Sequence, residues 1–258
     1  MDHLTEGGLL IITLPDQGAV GPLPSHYFDP RAQQGKIRYA LVRWFSLWGI
    51  PLSGSTHNPT WLEAHTTEVV WCDSVPADLH GPQTVRYYAQ HADRIVEAIE
   101  KCRPKVILVL SAYLYEAMAT EGLSQKISAV IGKAKGAPRR ITTMRLKALE
   151  QKFEHAQMLI LPTPSKNTTD DYIRSLSASV RETFEAAGFN LKDNGDALLG
   201  AAKALLVLDE KRTIVAMQNR LRIDESRAKA LLEAMQEEGL ISQPDENLTS
   251  RLTSSMRT

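Results

Sequence analysis

Apolar residues along this chain gather in short runs that alternate with longer segments of helical periodicity. Four runs have the length of a strand: residues 8–14, 68–73, 105–110 and 158–161. Runs of this kind are typical of strands buried on both faces of a parallel sheet. Between them, apolar positions recur at helical spacing, at about residues 35–48, 84–102 and 113–118.

This alternation of strands and helices predicts βαβ units. We therefore expect an α/β fold over residues 1–190, with three layers, α/β/α, around a four-stranded, mostly parallel sheet.

A different pattern occupies the last quarter of the chain. It predicts a helix that begins at Thr213, a turn at Ile223, a longer helix and a strand after Gly239. The positions expected to face inward are Ile214, Met217, Leu221, Ala228, Leu231, Leu232 and Met235. Two helices joined in this way form a helix-turn-helix, so we expect a second, small domain over residues 196–258.

The segment after the fourth apolar run is rich in residues that fix a backbone. Pro162 and Pro164 flank Thr163, Ser165 and Asn167 follow, and a helix begins near Thr169. This predicts a rigid polar loop at the carboxyl end of a strand, where open α/β sheets bind their ligands. The same residues also suit an ordinary strand-to-helix connection, and composition alone favours that alternative.

Charge is balanced over the whole chain and concentrated in one segment. Thirty Lys and Arg match thirty Asp and Glu, which gives a formal net charge of zero. Any anionic partner must therefore meet a local patch. Residues 126–152 provide one, because Glu150 is their one acidic residue, while their basic residues include Lys133, Lys135, Arg139, Arg140, Arg145 and Lys147.

The cysteines and the apolar segments exclude several classes of protein. Cys72 and Cys102 lack a paired spacing, and no histidine cluster resembles a zinc site, so we expect reduced thiols and no metal or cofactor. No apolar segment approaches the ~20 residues of a membrane span, and the first residues lack the zones of a signal peptide. We expect a cytoplasmic protein without membrane contact.

The polar loop carries a resemblance to a known family. Leu161-Pro162-Thr163-Pro164-Ser165, followed by Asn167 and a helix, resembles the second motif of the uracil-DNA glycosylase superfamily. It is most similar to the mismatch-specific uracil/thymine branch, which has Asn-Pro-Ser after Leu-Pro. The order of landmarks is similar over most of residues 8–185, and the resemblance implies the three-layer fold.

The resemblance also implies a catalytic residue at the end of the first strand. The family places Asn or Asp before a proline there, to position or activate water. Here Leu14 precedes Pro15, and the nearest carboxylate is Asp16, to which we assign the catalytic role. Asp73 is the other candidate carboxylate, with capping of the following turn as its alternative role.

Further roles follow from the same resemblance. Phe28 maps onto the aromatic that stacks on the extruded base, while a core anchor for its own loop is the alternative. Lys166 and Asn167 lie near the wedge that fills the vacated stack. The expected substrate-binding residues are Phe28, Thr163, Pro164, Ser165, Lys166 and Asn167.

The second domain resembles the winged-helix gamma domain of FtsK-type DNA translocases. The shared features are the Gln-x-x-Leu-x-Ile turn, the Arg-Ala pair and the Glu-x-Gly-Leu-Ile-Ser ending. The resemblance places the second helix in the major groove, with Glu225, Ser226, Arg227 and Lys229 on the groove side. Arg227 suits a guanine contact. Because Asp224 and Glu225 repel phosphates, a protein-interaction or dimerisation module is the alternative.

Together these patterns predict a two-domain protein that acts on double-stranded DNA. We expect the first domain to evert and excise an unusual or modified base, an activity that would suit defence against phage, and Arg139 and Arg140 to contact DNA. One alternative is a DNA-binding protein whose glycosylase fold has lost its chemistry, as Leu14 permits. Another is a nucleotide- or phosphosugar-binding α/β protein.

Overall fold

The computed structural model divides the chain into two compact units. Residues 1–18 and 61–192 form the first unit, and residues 19–60 and 193–258 form the second. The structure describes residues 6–14, 27–28, 36–52, 59–76, 78–165, 167–191, 198–199, 202–203, 213–221 and 223–242. Residues 19–60 thus group with the carboxyl-terminal part, whereas the sequence pattern assigned them to the first domain.

A six-stranded sheet forms the centre of the first unit. Its strands are β1 (Leu9–Thr13), β2 (Thr66–Val70), β3 (Val106–Val109), β4 (Arg139–Arg140), β5 (Leu149–Lys152) and β6 (Gln157–Ile160). They lie in the order β2-β1-β3-β6-β5-β4. The first four strands in this order are parallel, and β5 and β4 continue the sheet in antiparallel pairs.

The mixed α/β class and the mostly parallel sheet are as predicted, but the strand number is not. The four predicted strands correspond to β1, β2, β3 and β6. The two additional strands lie in the basic stretch. β4 consists of two exposed arginines at the edge of the sheet, so it has no apolar face for a sequence pattern to reveal.

Helices pack around the sheet of the first unit. They are α2 (Trp61–Ala64), α3 (Pro82–Gln90), α4 (Asp93–Cys102), α5 (Ala112–Met118), α6 (Glu121–Ile131), α7 (Asp170–Ser175) and α8 (Ser177–Ala186). One core cluster joins alternate strand residues such as Leu10 and Ile107 to Ile99 and Ile127 of the helices. All five residues of β1 are buried, so both faces of the sheet are covered there.

The predicted helix over residues 84–102 is two helices, α3 and α4. The break falls at His91, whose backbone N–H donates hydrogen bonds to the carbonyl oxygens of Tyr87 and Tyr88 and so ends α3. Neither Gly nor Pro marks this break in the sequence. Ahead of β1, the chain is tightly packed at Gly8, where any Cβ would collide with the His65 carbonyl oxygen.

The second unit contains α1 (Lys36–Leu47) and a pair of helices, α9 (Ile214–Leu221) and α10 (Glu225–Glu237). Thr213 caps α9 as predicted, because its hydroxyl accepts a hydrogen bond from the Ala216 N–H at 3.1 Å. Ile214 is partly exposed, while the other six of the seven side chains predicted to face inward are buried: Met217, Leu221, Ala228, Leu231, Leu232 and Met235. The helix pair therefore has the predicted apolar interface, while residues 243–258, which would form the wing, lie outside the described residues.

Candidate functional site at the carboxyl edge of the sheet

The parallel strands of the first unit end side by side. Backbone hydrogen bonds continue past the strands: Trp71 N–H to Thr13 O at 2.9 Å, Leu110 N–H to Ile12 O at 3.0 Å, and Leu161 N–H to Val109 O at 2.9 Å. The chain passes from β1 to β2 on one side and then to β3 on the other. Ligands of open α/β sheets bind at the carboxyl edge beside such a switch in strand order.

The loop after β6 is fixed to this edge by its own hydrogen bonds. Thr163 Oγ1 donates to the carbonyl oxygen of Leu110 at 2.8 Å, which joins the loop to the end of β3. Thr168 Oγ1 accepts from the Ser165 N–H at 2.9 Å and donates to the Ser165 carbonyl oxygen at 2.6 Å. The Asn167 N–H donates to Ser165 Oγ at 3.2 Å. The loop thus holds a defined shape.

Four of the predicted substrate-binding residues share this loop. Thr163 and Pro164 are partly buried, whereas Ser165 and Asn167 are exposed. Lys166, assigned to the same role, lies outside the described residues. Because the Thr163 hydroxyl is donated to Leu110, its hydrogen faces the protein and only its oxygen lone pairs remain for a ligand.

An exposed aromatic residue lies at the end of the neighbouring strand. Ser111 caps α5 by accepting a hydrogen bond from the Tyr113 N–H at 3.2 Å, so Tyr113 is in the first turn of the helix. Helical side chains lean toward the amino terminus, which here is the sheet edge. The Tyr113 side chain is 46% exposed and makes no hydrogen bond or ring contact with another described residue. Sequence reasoning predicted this helix but gave Tyr113 no role.

The end of β1 lacks the polar residue that the family resemblance would place there. Leu14 is partly buried and packs against the apolar core of the sheet. Asp16, the predicted catalytic residue, lies outside the described residues.

Asp73, the other candidate carboxylate, is engaged in an ion pair. Arg94 Nη1 of α4 lies 2.9 Å from Asp73 Oδ1. The hydrogen bond and charge of Arg94 hold the pKa of Asp73 below its usual range. A groove of about 380 Å³ beside the pair is lined also by Tyr87, Gln90 and His91. The ion pair with a helix, rather than capping of the following turn, fixes this carboxylate.

Both cysteines are buried in the first unit. Burial raises the pKa of Cys72 and of Cys102. At neutral pH both are therefore protonated thiols that pack as small apolar groups.

The basic stretch forms a hairpin that returns to the same edge of the sheet. Leu149, at the start of β5, is paired with Ile160, at the end of β6. Arg140, at the end of β4, is paired with Leu149. The β4–β5 loop, residues 141–148, therefore lies at the carboxyl edge beside the loop that follows β6. The exposed basic residues of the hairpin and the segment before it are Lys133, Lys135, Arg139, Arg140, Arg145 and Lys147.

Arg139 serves an internal ion pair. Its Nε and Nη2 atoms donate to Glu150 Oε2 at 3.0 and 2.7 Å. The Glu150 side chain is 1% exposed, and its other oxygen accepts from Thr183 Oγ1 at 3.0 Å. The guanidinium predicted to contact DNA thus compensates a buried carboxylate. Arg140 is exposed, and its Nη2 donates to the Met144 carbonyl oxygen at 2.5 Å.

Phe28 belongs to the second unit. Its side chain is 2% exposed, and its ring centroid lies 4.9 Å from that of Tyr27 and 5.2 Å from that of Phe45 in α1. This packing corresponds to the alternative interpretation, in which Phe28 anchors its own loop.

The predicted groove-facing residues lie at the start of α10. Asp224 caps the helix by accepting from the Arg227 N–H at 2.8 Å. Glu225, Ser226 and Lys229 are exposed, and Arg227 is partly exposed. The capping bond gives Asp224 a structural role, because a carboxylate at the amino terminus of a helix stabilises that helix.

These features define a mixed α/β protein with a polar, partly basic sheet edge and a separate pair of helices. No group of three or more His, Cys, Asp and Glu residues in the described segments is arranged to hold a metal ion. Within the same segments, every helix falls short of the length or apolar character needed to cross a bilayer. No protein-family model matches the chain, and no curated protein matches it either.

Proposed function

We propose that this protein acts on double-stranded DNA and that its first unit everts and excises an unusual or modified base. The observation that carries the proposal is the convergence of two loops at one sheet edge. One is the fixed Thr163–Thr168 loop, and the other is the basic loop of residues 141–148. A nucleotide substrate requires both a polar pocket and a cationic surface for phosphates.

The energetics of base eversion agree with this arrangement. Taking a nucleotide out of the stack costs about a few kcal/mol, which stacking and edge hydrogen bonds in a pocket must offset. Tyr113 supplies an exposed aromatic face at the edge. Ser165 and Asn167 supply exposed polar groups on the loop that follows β6, which Thr163 joins to the end of β3.

Cleavage would break the bond between the base and C1′ of the sugar. Positive charge develops on the sugar in this step, and a carboxylate nearby stabilises it or orients the attacking water. We assign that role to Asp16. Water supplies the hydroxyl group that C1′ retains, and the departing base takes up a proton. The α9–α10 pair would provide additional contacts to the duplex through Arg227 and Lys229.

The test is incubation of the full-length protein with duplexes that carry different modified or mismatched bases, followed by alkali treatment. Strand cleavage at one such base is expected for the wild type and is lost in Asp16→Ala. Asp78→Ala, which removes an exposed carboxylate elsewhere in the first unit, serves as the matched control. Equal abasic-site formation by the wild type and Asp16→Ala would remove Asp16 from the mechanism. Excision of bases found in phage DNA would support a role in defence.

A second candidate function is DNA binding without catalysis. The specific observation in its favour is Leu14, whose side chain packs against the core where the resembling family has a polar residue. This candidate predicts salt-sensitive binding to duplex DNA and no alkali-labile site on any modified duplex. The same assay therefore separates the two functions.

A further inference from the structure

The β4–β5 loop is held in one conformation at its base. The Ile141 N–H donates to the Ala148 carbonyl oxygen at 3.0 Å and closes the loop. Tyr172 of α7 donates its hydroxyl to the Lys147 carbonyl oxygen at 3.4 Å. Ile141, Thr142 and Ala148 are buried. These contacts join the loop to the sheet and to the helix that follows the Thr163 loop.

The tip of the loop is also ordered, and it presents an apolar side chain. Thr142 Oγ1 accepts from the Met144 N–H at 3.1 Å, and Arg140 donates to the Met144 carbonyl oxygen. The backbone of Met144 is thus held on both sides, while its side chain is 37% exposed. The exposed Met144 side chain is therefore presented at a fixed position, unlike an isolated apolar residue on a surface.

The surroundings of Met144 are cationic. Arg140, Arg145 and Lys147 are all exposed within four residues of it. Residues 133–149 contain no Asp or Glu, and the next acidic residue along the chain, Glu150, is buried and paired with Arg139. The loop therefore offers an apolar centre with positive charge around it and matches a polyanion whose interior is apolar. Duplex DNA has that composition, with phosphates outside and stacked bases inside.

We propose that the β4–β5 loop inserts Met144 between stacked bases of duplex DNA, with Arg140, Arg145 and Lys147 on the flanking phosphates. Apolar side chains, methionine among them, act as such wedges in DNA-bending proteins and partly unstack one base step. The flexible thioether side chain adapts to the gap that it opens. The inference rests on the proposed function for its DNA partner. It adds an insertion point, on a different strand connection from the Lys166–Asn167 segment.

Insertion at this position would assist base eversion. The loop borders the one that follows β6, so unstacking caused by Met144 falls beside the nucleotide that the Thr163 loop would receive. A step that is already unstacked lowers the remaining cost of turning a neighbouring nucleotide outward.

The test uses the full-length protein and a short duplex in which 2-aminopurine lies next to a central mismatch, because its fluorescence rises when it loses stacking. Wild type is expected to increase the fluorescence on binding, and Met144→Ala is expected to lose this increase and to bind about tenfold more weakly. Met144→Leu should retain the increase and bind within about twofold of wild type. Thr143→Ala, at the neighbouring exposed position, is the matched control.

A second measurement isolates the cationic part of the loop. Arg145→Ala should weaken binding to all duplexes alike and reduce the slope of log affinity against log salt by about one. The three substituted residues, Thr143, Met144 and Arg145, are exposed. Thermal unfolding of each variant should therefore match that of the wild type and show that folding is unaffected.

The outcomes separate the inference from the function that it rests on. If Met144→Ala binds DNA, excises the base and raises the fluorescence as the wild type does, the insertion proposal is overturned and the proposed function stands. If the wild type binds no DNA, both fall. Met144-dependent binding to vesicles of phosphatidylserine and phosphatidylcholine, without a DNA effect, would assign the loop to a membrane surface and overturn the inference.

Discussion

Glu150 is a carboxylate that is buried away from water and has polar and cationic partners around it. It receives hydrogen bonds from Arg139 and Thr183, and Lys152 Nζ lies 3.8 Å away. An ion in a site this buried is tolerated only when its oxygens keep their partners. The hydrogen bonds to Glu150 also raise the pKa of Arg139, so the guanidinium stays charged.

We therefore expect Arg139→Ala to lower the free energy of unfolding by about 2 kcal/mol, because it leaves a buried charged acceptor short of donors. Arg145→Ala, which removes an exposed guanidinium from the same hairpin, should leave stability unchanged. Urea unfolding of the two variants and the wild type provides the measurement. Unchanged stability of Arg139→Ala together with weaker DNA binding would return Arg139 to the role that its position in the basic stretch suggested.

At the scale of elements, Tyr172 links α7 to the β4–β5 loop. Its side chain is 1% exposed, and burial raises its pKa to about 12 from an ordinary value of about 10. Below pH 10 the hydroxyl is protonated in both the folded and the unfolded chain, so it adds no pH dependence there. Between pH 10 and 12 the unfolded chain loses this proton first. Stability due to Tyr172 therefore falls as pH rises through that window.

We expect the free energy of unfolding of the wild type to fall more steeply between pH 10 and 12 than that of Tyr172→Phe. Phenylalanine keeps the ring in place and removes the titrating group. Chemical denaturation of both proteins at a series of pH values measures the difference in their free energies of unfolding. The lysines and other tyrosines that titrate in the same range contribute equally to both proteins, so their effect is absent from this difference. Parallel curves would show that the buried hydroxyl titrates alike in both states.

Elements with a local cause were predictable from the sequence. The helix start near Thr169 and the cap at Thr213 depend on residues within a few positions of one another, and the structure has both where the pattern placed them. The break between α3 and α4 at His91 has no such local signal.

The features that the sequence could not predict depend on contacts between residues that are far apart along the chain. Residues 141–148 lie at the carboxyl edge because β5 pairs antiparallel with β6. Arg139 forms an ion pair inside the protein because Glu150 is buried beside it. Tyr113 became a candidate only when its exposure at the strand end was known. Such long-range relations are invisible to periodicity.

At the scale of the whole molecule, the second unit is assembled from two segments of chain that are far apart in sequence. Leu108 is buried in the sheet of the first unit, and Leu231 is buried in the helix pair of the second. We expect either leucine, when changed to alanine, to destabilise its own unit by about 2–5 kcal/mol.

Hydrogen exchange with peptide resolution measures this partition. Leu108→Ala should speed exchange mainly in β1, β3 and β6, and Leu231→Ala mainly in α9 and α10. Equal loss of protection across the whole chain from either change would mean that the protein unfolds as one cooperative body.

The reversal of direction at β5 has a practical meaning for engineering. The exposed tip of the β4–β5 connection can be given other charges or side chains while the buried Ile141, Thr142 and Ala148 keep the base of the loop and the inner strands in place. Exchange of the exposed residues Thr143, Met144 and Arg145 is therefore a route to altering the charge and shape of this sheet edge, while the paired strands beside it stay as they are.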